Sequence, residues 1–437
     1  MKRFMVIVLD GFGIGAMEDV KELRPQDAGA NTALHIFQAL PAFRLPVLES
    51  LGLGNALLAS RAEASPTPAI PAGGFTPVLA EAPAPVESCC FGFHRLAHFG
   101  ADTFWGHQEL MGTRPLKGES GPIAPRLSVI REALVKTGRQ VRFYRGADSQ
   151  RLNVPSPPLD MPPEPGILVV DDALTIGDNL ETDLGDNYNV TAALDIMPFD
   201  KVREIGAIVR SLVYVSRVIV FGGTGVTLAD ILDAYESSGP FAGVSAPRSG
   251  VYRQGYQVVH LGYGVRAAVQ VPAMLEQAGI PTVLIGKVAD IVENPRGRNI
   301  PGVDTLEVLE RGAAVLDELE EGYICINVQE TDLAGHREDP KLYGERLAAA
   351  DRGIGAIMKK LTAEDILVIT ADHGNDPVIG HPRHTREKTP ILVYGRRVKP
   401  GFIGGRSSLA DTGASVCDFF GAPFPEAGAS YLGNIFV

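Results

Sequence analysis

Cysteine is scarce. The 437-residue chain has four, Cys89, Cys90, Cys325 and Cys417, and no two stand in C-x-x-C spacing. That excludes a disulfide framework and makes a reducing cytoplasm the expected compartment. Long hydrophobic runs are missing too. The apolar run Phe4–Leu9 is six residues long and stops at Asp10, too short for a membrane span or a secretory h-region, so neither a leader nor a membrane partner is expected. Positive charge is in deficit, with a formal net charge of −12. Non-specific nucleic-acid binding needs a basic face that displaces counterions, so nucleic acid is not an expected partner. Anionic small molecules are not excluded, because bound divalent cations reverse a local potential. What is present is ordinary for a globular chain: 45% hydrophobic and 21% charged residues. The length suits two domains, or one domain with a large insertion. Nothing in the sequence indicates an oligomeric state.

The most informative stretch is residues 369–387, I-T-A-D-H-G-N-D-P-V-I-G-H-P-R-H-T-R-E. The approach through Glu364–Ile369 turns from acidic to the β-branched run I-L-V-I, which predicts a short buried strand. Asp372 and His373 then stand side by side at the strand end, Gly374 permits a sharp turn, and His384 arrives on a loop. Ligands of open α/β sheets bind beyond the carboxyl ends of strands, and carboxylate with imidazole suits a divalent cation. Alone, the pair reads equally well as an N-cap Asp beside a packing His.

Elsewhere the same arrangement recurs. Phe4–Leu9 reads as a central strand ending at Asp10 and the turn G-F-G-I-G, with a turn or cap role for Asp10 as the plain alternative. Residues 56–86 are rich in Ala and Pro without a clear period and read as a surface excursion. Residues 101–113, A-D-T-F-W-G-H-Q-E-L-M-G-T, place Thr103 after Asp102 and before Gly106, where the backbone can approach a ligand closely; a lone Thr there is more often a cap. Residues 115–266 read as a separate unit, with a helix over Leu127–Lys136, strands over Ile167–Val170 and Arg217–Phe221, and a helix over Val202–Leu212. Its acidic run D-D-A-L-T-I-G-D-N-L-E-T-D-L-G-D does not match a calcium loop. A helix ending at Gly279 leads to the strand T-V-L-I-G-K, with Lys287 at its carboxyl end. Ile324–Val328 is a further strand, followed by Asp332 and His336, which one helical turn would bring together. Residues 344–361 repeat apolar positions at helical spacing, and Ile391–Tyr394 is another strand. Alternation of this kind predicts a mostly parallel sheet with helices on both faces.

Three strand ends thus offer Asp10, Asp332 with His336, and Asp372 with His373, while loops add Thr103 and His384. Six ligating side chains and a hydroxyl suit two divalent ions better than one. The chain resembles the phosphopentomutase family of the alkaline phosphatase superfamily. The likeness rests on V-L-D-G-F-G-I-G-A-M, L-E-S-L-G-L-G-N, D-T-F-W-G-H-Q-E-L-M-G, I-G-K-V-A-D-I, A-D-H-G-N-D-P and H-T-R-E-K-T-P-I-L-V-Y, in that order, and covers most of the two core segments. The resemblance implies an α/β fold: a three-layer α/β/α core of alkaline phosphatase type, formed by residues 1–114 and 267–437, with 115–266 inserted as an α/β cap. It implies that Asp332, His336 and His384 hold one metal, and that Asp10, Asp372, His373 and the Thr103 oxygen hold the other. Thr103 would be the nucleophile that carries the phosphoryl group, and Lys287 a substrate contact. Manganese is the family's usual metal, with zinc or magnesium compatible with the ligands.

The chain departs from the family's pattern in places. Gly11 stands where the family usually has Ser, and the Asp332–His336 spacing is one residue shorter, as in cofactor-independent phosphoglycerate mutases. Trp105 and Gln108 replace a Thr and a Trp. The family's cap motif has no clear counterpart, and R-S-G-V-Y-R-Q-G-Y offers only Arg253 as a faint phosphate contact; a solvated surface role is the plainer reading. The expectation is therefore a two-metal phosphomutase acting on a small phosphorylated metabolite, such as a sugar phosphate. A phosphatase with the same metals is the alternative. Neither Cys89 nor Cys90 begins the C/S-x-P-x-R sequence of sulfatases, and a complete ligand set speaks against a protein that only binds metal.

Overall fold

The computed structural model describes residues 1–64, 88–146, 164–181 and 184–436. These form two compact units, Met1–Pro115 with Arg266–Val437, and Leu116–Val265.

The first unit is built on an eight-stranded sheet. Its order is Arg298–Ile300, Thr282–Ile285, Glu321–Val328, Lys2–Leu9, Ile366–Thr370, Thr389–Tyr394, Cys89–His94 and Gly401–Arg406. Thr389–Tyr394 runs antiparallel to both neighbours, and the other pairings are parallel. Lys2–Leu9 is central, which explains why its sequence has no polar alternation: both faces are covered. Met5, Ile7 and Leu9 enter one apolar cluster with the helices Thr32–Ala39, Thr305–Glu318 and Pro340–Met358. Phe4, Val6 and Val8 enter the other with Thr103–Leu110, Val271–Gln277 and Ala410–Phe420. The period of two along one strand therefore creates a three-layer α/β/α core.

Register decides where the chemistry goes. Val8 lies opposite both Asn327 and Thr370, so three adjacent parallel strands finish at one rim. Asp10, Asp332 and Asp372 follow those ends within a few residues. At the opposite rim, Arg3, only 1% exposed, binds Asp365 through Nε at 3.1 Å and Nη2 at 2.5 Å. This buried pair ties the central strand to the turn before Ile366–Thr370.

The second unit carries a mixed sheet in the order Gln257–Gly262, Arg217–Gly223, Asn187–Ala193, Leu174–Asp178, Ile167–Val170 and Val141–Tyr144. Of these pairings only Asn187–Ala193 with Arg217–Gly223 is parallel. The mostly parallel arrangement expected from strand–helix alternation thus describes the first unit and not this one. Its chain mainly turns back through short hairpins, and the crossover helix Phe199–Leu212 joins the parallel pair. Val202, Ile205 and Val209 of that helix pack with Leu127, Ile130 and Leu134 of Leu127–Lys136 on one face.

One further expectation needs correction. Part of the predicted surface excursion is helix: Leu53–Ala64 is regular, with Leu53, Ala56, Leu57 and Ser60 buried at helical spacing, while 65–86 lies outside the described residues. The acidic run after Val170 contains the fully buried strand Leu174–Asp178. There Asp178 accepts hydrogen bonds from the Ile123 and Ala242 amides, both at 2.8 Å. Most of the proline-rich stretch 155–166 lies outside the described residues.

Candidate metal centre

Two groups of side chains converge at the carboxyl rim of the first unit. One is Asp332, His336 and His384; the other is Asp10, Asp372 and His373. Within each group the ligand atoms lie within 4.8 Å of one another. In the first, Asp332 and His336 are joined by the short helix Glu330–Gly335, so a four-residue step closes within one turn. His384 Nε2 lies 3.2 Å from Asp332 Oδ1 and 3.0 Å from His336 Nε2. In the second, His373 Nε2 is 3.2 Å from Asp10 Oδ1 and 3.3 Å from Asp372 Oδ2. The His373 and His384 rings stack at 4.0 Å, which makes the two groups neighbours.

The hydrogen-bond pattern fits cations. His336 Nδ1 lies 2.7 Å from the Pro382 carbonyl, His384 Nδ1 2.9 Å from that of Ala101, and His373 Nδ1 2.9 Å from that of Gly374. A carbonyl only accepts, so each contact assigns a proton to Nδ1, and in the neutral ring Nε2 is then the lone pair that can face a cation. Two such lone pairs then face each other beside a carboxylate in the first group. In the second, Asp10 Oδ1 and His373 Nε2 are buried without a hydrogen-bond partner. Converging acceptors without a donor among them are unfavourable until a cation sits between them.

Thr103 is the first residue of the helix Thr103–Leu110, capped by the Asp102 side chain, which accepts from the Trp105 amide at 3.2 Å. Its hydroxyl donates to Asp372 Oδ2 at 2.7 Å. Gly106 brings that helix close: a Cβ there would meet the Asp372 carbonyl oxygen at 2.5 Å and its Cβ at 2.8 Å. The close approach foreseen at Gly106 is thus to the loop holding Asp372. Lys287 Nζ lies 3.0 Å from Asp10 Oδ2 and 3.6 Å from Asp332 Oδ2. Arg253 is an exposed residue of the second unit.

Several site residues had no role in the sequence reading. His107 is fully buried, with Nδ1 3.0 Å from the Thr103 carbonyl and 3.1 Å from Asp372 Oδ2, and Nε2 2.9 Å from Asn327 Oδ1. Asn327 Nδ2 in turn donates to Asp10 Oδ2 at 2.9 Å, so the pair bridges two carboxylates of one group. Burial opposes ionisation of Asp372, yet the adjacent His373 and His107 hold its carboxyl well below the usual range. Asn375 Nδ2 donates to Asp332 Oδ1 at 2.8 Å. Such outer contacts fix ligand orientation. Glu387 is fully buried and accepts from the Thr32 amide and hydroxyl, the Gly15 amide and the Thr385 hydroxyl. Burial, then nearby Asp376, pushes its pKa up to about 7. It anchors the ligand loop, and a Cβ at Gly13 or Gly374 would meet it within 2.3 Å. The signal for these residues was their place inside the motifs, since H-Q-E, C-I-N-V and H-T-R-E all adjoin recognised positions.

The sequence matches the metalloenzyme superfamily over residues 2–423. It is 30% identical to a phosphopentomutase of Symbiobacterium thermophilum over 451 aligned residues, covering 100% of this chain and 99% of that one. The chain belongs to the phosphopentomutase family of the metalloenzyme superfamily. A phosphopentomutase of Clostridioides difficile is 27% identical, with both chains covered to 100%. Among solved structures, a Leishmania mexicana phosphoglycerate mutase is 12% identical, with 100% of this chain and 98% of that one covered and a TM-score of 0.40. This phosphopentomutase-family chain is a metal-dependent phosphomutase, and it binds divalent metal. No helix among the described residues is long and apolar enough to cross a membrane.

Proposed function

We propose that the protein interconverts positional isomers of a small sugar phosphate, with a pentose phosphate as the first candidate. The phosphoryl group would be carried on Thr103, in a centre holding two divalent ions, with manganese favoured over zinc or magnesium. The observation that carries this reading is the Thr103 hydroxyl, 2.7 Å from Asp372 Oδ2, beside the group formed by Asp10, Asp372 and His373. Asp332, His336 and His384 would hold one ion, and Asp10, Asp372, His373 and Thr103 the other. Bound divalent ions supply acidification of a hydroxyl and neutralisation of charge on transferring oxygens.

The chain's own residues do the rest. Asp372 orients the Thr103 hydroxyl along the hydrogen bond already present. Thr103 Oγ then attacks phosphorus, the sugar's phosphoester oxygen leaves, and a second hydroxyl of the same sugar takes the phosphoryl group back. A general base alone contributes about 10²–10⁴-fold, against accelerations of up to about 10²¹-fold reached for phosphate monoesters, which supports a site rich in positive charge. Lys287 supports this reading as a substrate-side cation, with Arg253 a weaker candidate. Keeping the phosphoryl group from water is the role we assign to the inserted unit, residues 115–266. Four free, buried cysteines accord with a cytoplasmic setting.

Manganese-loaded enzyme incubated with ribose 1-phosphate and other sugar 1-phosphates, followed by phosphorus NMR, tests the proposal. The expected product is an isomeric sugar phosphate. Free phosphate without isomer would make the protein a phosphatase. Thr103→Ala is expected to lose at least about 10³-fold in turnover while keeping most metal binding; unchanged turnover would remove Thr103 from the mechanism.

A further inference from the structure

We propose that Arg386 is a positioning residue: through the segment Leu96–Ala101 it fixes where Thr103 stands relative to the loop of His384. The inference rests on reading Thr103 as the phosphoryl carrier and His384 as a metal ligand. Residues 95–102 link the strand Cys89–His94 to the helix Thr103–Leu110 and form neither helix nor strand. Thr103 is therefore only as well placed as this loop. Buried backbone polar groups outside regular structure need partners from elsewhere, and here two buried side chains supply them.

Arg386 is 3% exposed. A guanidinium has five N–H donors in a planar fork, and here five hydrogen bonds match them. Nη1 donates to the carbonyls of His98 at 2.6 Å and Gly100 at 2.7 Å, and Nη2 to that of Leu96 at 3.1 Å. Nε and Nη2 donate to the two Asp19 oxygens, each at 2.8 Å. The backbone of Arg386 is fixed as well: its amide donates to Asp27 Oδ2 at 2.9 Å, and its carbonyl accepts from the Met17 amide at 3.1 Å. The amides of the same segment go to the nucleophile helix. Glu109, fully buried on that helix, accepts from the Ala97 amide at 3.0 Å and the His98 amide at 2.8 Å. At the end of the segment the Ala101 carbonyl accepts from His384 Nδ1 at 2.9 Å. Leu96–Ala101 is thus a strap whose carbonyls are held from the His384 loop and whose amides are held from the Thr103 helix. Lysine cannot replace the fork, since its three donors radiate from one atom. The Asp19 side chain is 36% exposed, so removing Arg386 strands no buried charge; the loss falls on the strap.

The test combines two measurements on Arg386→Ala and Arg386→Lys, each shown by circular dichroism to be folded at the assay temperature. One is kcat and KM of the manganese-loaded proteins on the sugar phosphate that wild type turns over. The other is hydrogen exchange across residues 96–101 in the chelator-stripped proteins. In Arg386→Ala kcat should fall by about 10²-fold, the cost of a misplacement of about 1 Å, while KM stays within about threefold. Exchange across the strap should be at least about tenfold faster. Arg386→Lys should lose at least about tenfold in kcat, because charge without the fork does not hold three carbonyls. If Arg386→Ala does not fold, Arg386→Lys decides by the same readings. Wild-type kcat would overturn the proposal, and so would a loss confined to KM. A lowered kcat with wild-type exchange across 96–101 would overturn it too, since the strap would then be intact. Wild type that turns over no sugar phosphate, or Thr103→Ala at wild-type turnover, would sink this inference together with the proposed function. An active wild type with an indifferent Arg386→Ala would sink this inference alone.

Discussion

Gly106→Ala puts a single methyl where the structure has no space. The added carbon would stand 2.5 Å from the Asp372 carbonyl oxygen and 2.8 Å from its Cβ. Both belong to the loop after the strand Ile366–Thr370, and backbone at that distance cannot rotate away as a side chain would. The helix Thr103–Leu110 must move outward, carrying Thr103 from its hydrogen bond with Asp372. Two energies oppose each other. Alanine is a better helix former than glycine by about 1 kcal/mol, whereas overpacking of this kind costs roughly 1–3 kcal/mol. The net expectation is destabilisation of about 0–2 kcal/mol, small enough for the protein to remain folded. Activity should suffer far more, since a misplacement of about 1 Å at a reacting group costs on the order of 10²-fold. Urea unfolding and mutase turnover, measured on the same preparation, check both numbers. Wild-type turnover at wild-type stability would show that the helix approach does not set the position of Thr103.

Other expectations follow from single contacts. Burial drives the pKa of His94 down to about 3, with nearby Glu109 opposing and Arg406 reinforcing that shift. Its folded value lies below its unfolded one, so the unfolded chain binds more protons between about pH 3 and 6.5. Stability should be complete above that window and fall as pH drops through it, by roughly 4–5 kcal/mol in total. Urea midpoints measured across the window should show this slope flattened in His94→Gln. Asp365→Ala strands the buried Arg3 guanidinium, and urea unfolding should register a loss of about 3–5 kcal/mol. Asn327→Ala releases Asp10 from its outer hydrogen bond and should weaken manganese binding by about 10- to 100-fold; calorimetry giving wild-type affinity would show that Asp10 is oriented otherwise.

The convergence of the candidate ligands was largely readable because most of them follow strand ends. A run such as F-M-V-I-V-L is unmistakably buried, and the residue after it must lie on a sheet rim. The same logic hides the supporting residues. Asn327 closes a buried strand, where its amide reads as an interruption, and its purpose shows only when register sets it beside Asp10. His107 looks like one more helix residue until the helix is seen pressed against Asp372. Leu53–Ala64 escaped because Ala and Ser mark its inner face weakly. The second unit was harder, since Leu174–Asp178 is buried on both sides and framed by acidic residues that resemble a loop. In Asp178 one of those acids is interior, held by two backbone amides.

The central strand has an order-of-arrival problem. Lys2–Leu9 is translated well before both strands that flank it, Glu321–Val328 and Ile366–Thr370. Until those strands are made it waits with both edges unclaimed, a state prone to wrong pairing. Asp10 waits with it for Asp372 and His373. Metal uptake at the proposed centre would therefore serve as a clock for the closing of the sheet, since the group of Asp10, Asp372 and His373 is whole only when the first strand has met the late ones.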